Sequence, residues 1–100
     1  MNEVEYVAAS LPVDDLLCQI AEEAAELSQA ALKLRRAIDG ANKTPVTVEV
    51  AMENLEEEFV DVHVAFCAYN EKLGRKLLPE ETFHAIEKSK MCRWASRLGW

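Results

Sequence analysis

The chain has 100 residues, half of them apolar, and 18 Asp and Glu against 11 Lys and Arg give it a formal net charge of −7. That composition describes one compact domain and disfavours a broad phosphate-backbone surface for DNA or RNA, which depends on clustered Lys and Arg. Residues 1–10 carry Glu3 and Glu5 in place of a basic start, no stretch approaches a membrane span, and Cys18, Cys67 and Cys92 form no Cys-x-x-Cys pair. The expectation is therefore a cytoplasmic chain with reduced thiols that neither enters a membrane nor binds a nucleic-acid polymer.

Residues 1–11 read as an N-terminal arm or a short helix. Pro12 followed by Asp14 and Asp15 is a good helix entry, because proline fits the first turn and acidic side chains oppose the positive end of the helix dipole. Leu17, Ile20, Ala24, Leu27, Ala31, Leu34 and Ile38 then recur at spacings of three and four, one stripe of an α-helix, and Gly40 supplies a stop. Residues 41–47, with Asn42, Thr44 and Pro45, read as a loop. Met52, Leu55, Phe59, Val62, Phe66, Tyr69 and Leu73 repeat the spacing in a second long helix that ends near Gly74. Pro79 with Glu80 and Glu81 opens a third, whose apolar positions, Phe83, Ile86, Met91, Trp94 and Leu98, are less regular.

The expected fold is all-α: an antiparallel helical bundle built on two long helices plus a C-terminal helix, one domain over residues 1–100. A chain this short leaves much of its surface uncovered, and Val48, Val60 and Val64 lie off the predicted seam. Completion by oligomerisation, as a homodimer or homotetramer, is expected.

Each long helix carries two carboxylates three positions apart, Glu23 with Glu26 and Glu58 with Asp61, and residues at that spacing share a helix face. If Ala24 and Phe59 both take heptad position a, Glu23 and Glu58 are both g, while Glu26 and Asp61 are both c. In an antiparallel pair the g sides face each other, so the four carboxylates gather at one edge. Glu22 and Glu57 fall at f, the solvated side. Converging carboxylates repel unless something positive bridges them, and an all-oxygen donor set suits Mg²⁺ or Mn²⁺. A single Glu pair at this spacing is commonplace on a solvated helix face; two in one register on consecutive helices argue for a site.

Glu-x-x-Glu followed about thirty residues later by Glu-x-x-Asp, with the local wording Ile20-Ala21-Glu22-Glu23-Ala24-Ala25-Glu26-Leu27 and Glu57-Glu58-Phe59-Val60-Asp61-Val62, resembles the signature of the MazG-like all-α nucleoside triphosphate pyrophosphohydrolases over residues 16–97. The resemblance implies that Glu23, Glu26, Glu58 and Asp61 hold Mg²⁺ against a nucleoside triphosphate, that Glu23 takes the proton of an attacking water, and that monophosphate and pyrophosphate are released in nucleotide-pool housecleaning. Two positions depart from the pattern: Gln19 stands where many members carry Lys, and Ala65 where some carry an aromatic residue.

Lys90, Arg93 and Arg97 form a basic stripe with Lys88 nearby. Family members use such residues against substrate phosphates, so Lys90 and Arg93 are candidate phosphate contacts; compensation of the helix dipole is the other reading, and the stronger one for Arg97 in the final turn. His63 stands two positions beyond Asp61, a poor helical spacing for zinc. Phe66, Tyr69 and Trp94 read either as core or as stacking partners for a base. From a different class, the heptad seams alone are also compatible with a non-catalytic helical association or regulatory module.

Overall fold

The computed structural model of the protein describes residues 1–40 and 46–100; positions 41–45, which hold Asn42, Thr44 and Pro45 of the expected loop, lie outside the described residues. Four helices account for most of them: α1 (Glu3–Ser10), α2 (Val13–Asp39), α3 (Val48–Lys72) and α4 (Glu80–Arg97). No strand occurs among the described residues.

The helix ends follow from local chemistry. Asn2 caps α1 by accepting from the Glu5 N–H at 2.9 Å, so the segment read as an arm or a short helix is a short helix over Glu3–Ser10. Thr47 caps α3 by accepting from the Val50 N–H, and such caps each contribute about 1 kcal/mol. Gly40 closes α2 in the left-handed conformation at φ 66°, its N–H donating to the Arg36 carbonyl, a geometry that any Cβ would strain.

The packed seam between α2 and α3 keeps Ile20, Leu27, Leu34, Leu55, Val62 and Tyr69 of the predicted stripe but takes the residue one N-terminal at most of its other positions. Along it the covered positions are Val13, Leu16, Ile20, Glu23, Leu27, Ala30, Leu34 and Ala37 on α2 and Val48, Ala51, Leu55, Glu58, Val62, Ala65 and Tyr69 on α3, with Arg36, Cys67, Ala68 and Asn70 covered outside that stripe. Both sets keep the alternating three-and-four spacing of packed helices. Leu17, Ala24, Ala31 and Ile38 on α2, with Met52, Phe59 and Phe66 on α3 and Leu73 just after it, are exposed instead. Val48, predicted off the seam, is on it. The connection at residues 40–47 spans at most about 28 Å, too short to return the chain along a helix about 40 Å long, so α2 and α3 run antiparallel.

α1 packs against α3 and buries Ala8. α4 has no extensive contact with any other helix, and of its residues only Ala95 is even half-covered. The radius of gyration, 17.0 Å, accordingly exceeds the roughly 13 Å of a compact chain this long. The accessible surface is 8018 Å², where a compact monomer of this mass exposes about 5,700 Å². No helix among the described residues is long and apolar enough to cross a membrane.

Leu16, at 2% exposure, is the most deeply buried large side chain, whereas Leu32 is 49% exposed. Leu16→Ala is expected to cost about 2–5 kcal/mol by leaving a cavity, and Leu32→Ala no more than about 0.5 kcal/mol. Urea unfolding of both variants checks the assignment; equal losses would place the seam elsewhere.

Candidate metal centre

The rotation of the seam determines what the carboxylates do. Glu23 and Glu58 occupy stripe positions where an apolar side chain would ordinarily sit, and both are half-buried between the helices. Glu26 and Asp61, one turn on, are exposed beside them. One ligand-type oxygen from each of Glu23, Glu26, Glu58 and Asp61 lies within 4.8 Å of all the others. Like charges at that separation repel by about 1 kcal/mol per pair in water and roughly 3.5 kcal/mol at the effective dielectric of a protein surface.

The hydrogen bonding leaves the cluster incomplete. Glu23 Oε1 accepts from Gln19 Nε2 at 2.8 Å, so a neutral donor orients the first carboxylate. The Oε2 atoms of Glu23 and Glu58 are withdrawn from solvent and accept no hydrogen bond among the described residues. A buried acceptor without a partner is costly, more so when charged. A cation among the four carboxylates would satisfy both oxygens and cancel the repulsion, and an all-oxygen, all-anionic donor set is hard, which fits Mg²⁺ or Mn²⁺.

Nothing among family models, curated proteins or solved structures matches this chain. The chemistry of the site therefore rests on its own residues.

Beside the carboxylates, between α2 and α3, lies a cleft of about 390 Å³ lined by Glu26, Glu58, Gln29, Lys33, Asn54 and Glu57, among others. Lys33 is its sole cationic lining residue among the described residues, and the sequence reading missed it. The signal was present: Lys33 follows Glu26 by one heptad and so projects along the same edge of α2. Glu22 and Glu57, assigned to solvent, are both exposed, although Glu57 also borders the cleft.

Other candidates lie apart from the cluster. Lys90 and Arg93 are exposed on α4, which has no extensive contact with α2 or α3, so packing within one chain does not join them to the carboxylates. Phe66 and Tyr69 meet edge to face at 6.1 Å in a different, apolar groove whose other wall includes Leu77, Leu78 and Phe83. Trp94 is exposed on α4. His63 faces Cys67, with Nε2 3.4 Å from Sγ, at the spacing of four that Asp61 lacks.

In metal-free buffer, Glu23→Gln and Glu58→Gln relieve repulsion and keep the side-chain shape, so each is expected to raise the melting temperature by about 4 °C or more. Glu22→Gln and Glu57→Gln should shift stability by no more than about 0.5 kcal/mol. Added Mg²⁺ should stabilise the wild type and these two controls but not the first pair. Calorimetry in chelator and in Mg²⁺ measures all of this, and identical behaviour of the four variants would contradict a shared cation site.

Proposed function

We propose that the chain is a Mg²⁺-dependent nucleoside triphosphate pyrophosphohydrolase of the MazG-like kind, active on surplus or non-standard nucleotides as a cytoplasmic homo-oligomer. The observation that carries this reading is the convergence of Glu23, Glu26, Glu58 and Asp61 within 4.8 Å, with two of their oxygens buried and unpartnered. A structural ion would need no neighbouring cavity. Here a cleft with Lys33 at its wall adjoins the cluster, as a small polyanion requires.

Mg²⁺ held by the four carboxylates, with Mn²⁺ as a substitute, would neutralise phosphate charge and lower the pKa of water. The chain's own residues bind and orient. Glu23, fixed by Gln19, is placed to accept the proton of the water that attacks the α-phosphorus, and its fixed orientation favours proton transfer along one direction. Lys33 compensates charge on the phosphates, as a mobile point charge able to follow the leaving pyrophosphate. The exposed Lys90 and Arg93 serve the same end if a neighbouring subunit's α4 reaches the cleft.

A second reading, a non-catalytic association module, is favoured by the large apolar surface that the single chain leaves uncovered. Incubation with Mg²⁺ and a panel of nucleoside triphosphates separates the two. The expected products are monophosphate and pyrophosphate, with activity lost in chelator; orthophosphate as first product contradicts the proposal, and inertness toward every nucleotide under both metals favours the association module. Lys33→Met is expected to raise KM about tenfold, the loss of one charge-assisted contact, with the metal-induced stabilisation unchanged.

A further inference from the structure

We propose that the groove between α3 and the start of α4 is a binding site for an apolar monocarboxylate, a hydrocarbon body carrying one acid group. The site stands apart from the carboxylate cluster and does not depend on the activity proposed above.

The way α3 ends builds this groove. Gly74 sits in the left-handed region at φ 65°. Its N–H donates to the Glu71 carbonyl at 3.0 Å, and the Arg75 N–H donates to the Asn70 carbonyl at 2.8 Å, the paired bonds that close a helix C-terminus. Leu77 and Leu78 then line the groove together with Phe59 and Phe66 of α3 and Phe83 of α4. The space is about 710 Å³, within the roughly 300–1,000 Å³ of small-molecule pockets, which are mostly apolar with a few placed polar groups. Phe59, Phe66 and Phe83 are all exposed, so their rings are open to an occupant.

The polar groups determine what the groove takes. At helix ends of this type the residue after the glycine commonly makes an apolar contact with the third-last helical residue. Here those two positions are Arg75 and Asn70, and both line the groove. Asn70 is buried at 5% exposure. Its side-chain amide has two N–H donors, of which one goes to the Phe66 carbonyl at 2.8 Å and the other has no acceptor among the described residues. Arg75 makes no ion pair among the described residues. No acidic side chain among them lines the groove, in a chain where 18 of 100 residues are Asp or Glu, and residues 72–79 carry Lys72, Arg75 and Lys76 without an acid. An unneutralised guanidinium and a buried amide donor in an apolar groove match a carboxylate head, which the planar fork of arginine grips with two parallel hydrogen bonds. A nucleotide fits worse, because its sugar and base edges would leave polar groups unpaired against the apolar walls.

Isothermal titration of the whole protein in chelator, with decanoate and with neutral decan-1-ol, tests this. Decanoate is expected to bind once per chain and about tenfold more tightly than the alcohol, the worth of one charge-assisted contact. Arg75→Met should abolish that preference while leaving the affinity for decan-1-ol unchanged, and Phe83→Ala should weaken both. Amide spectra of the unmodified protein decide the matter independently of how the variants fold: decanoate should shift Asn70, Arg75 and Leu77 and leave Glu23 and Glu58 in place. No saturable binding, equal affinity for acid and alcohol, a preference that survives Arg75→Met in folded protein, or shifts centred elsewhere overturns the proposal, including the case in which another protein fills this groove.

Discussion

Everything in this molecule turns on two glutamates placed where helices pack. Glu23 and Glu58 occupy the stripe that otherwise holds Leu16, Ile20, Leu27 and Ala30 on α2 and Ala51, Leu55, Val62 and Ala65 on α3. Leucine at those two positions would bury apolar area, at about 25 cal/mol per Å², and continue the seam without interruption. The glutamates instead bring negative charge between the helices, beside Glu26 and Asp61, and leave two oxygens unpartnered. A seam built this way gives up stability between its two helices, which is the pattern of a site rather than of a scaffold.

The same two residues account for the division of the hairpin into unlike faces. Once the seam runs through Glu23 and Glu58, the neighbouring register positions fall to either side of it. Glu26, Asp61 and Lys33 go to one face, with the cleft; Ala24, Ala31, Met52 and Phe59 go to the other, where the chain alone leaves them exposed. The carboxylates and the apolar side chains are thereby separated by the thickness of two helices. α4, which has no extensive contact with another helix and meets α3 at the groove that Phe83 shares with Phe59 and Phe66, leaves Phe83, Ile86 and Trp94 exposed.

Much of this was legible in the sequence, and what was not has a physical explanation. The three longer helices and most of their ends followed from Pro12, Gly40, Gly74 and Pro79 and from spacings of three and four, because capping and periodicity are local. The grouping of the four carboxylates followed from a shared register. The rotation of the seam did not, because two stripes compete on each helix: both contain Ile20, Leu27 and Leu34 on α2, and both contain Leu55, Val62 and Tyr69 on α3. Apolarity alone selects the stripe through Ala24 and Phe59, since the other passes through glutamate. Only tertiary packing distinguishes a charged residue held in a seam from one beside it. The isolation of α4 was likewise hidden, since an irregular apolar face does not reveal whether its partner belongs to the same chain.

The most direct test of a cation site seated in the helix seam is a Mn²⁺ titration followed residue by residue in the amide spectrum, where a bound paramagnetic ion broadens its nearest neighbours first. Substoichiometric Mn²⁺ is predicted to erase the signals around Glu23, Glu26, Glu58 and Asp61 while those of Glu80 and Glu81 at the start of α4 persist, and Mg²⁺ should restore them by competition. Broadening spread evenly over every acidic segment would show that the carboxylates attract cations only as a diffuse charge, and would contradict the account.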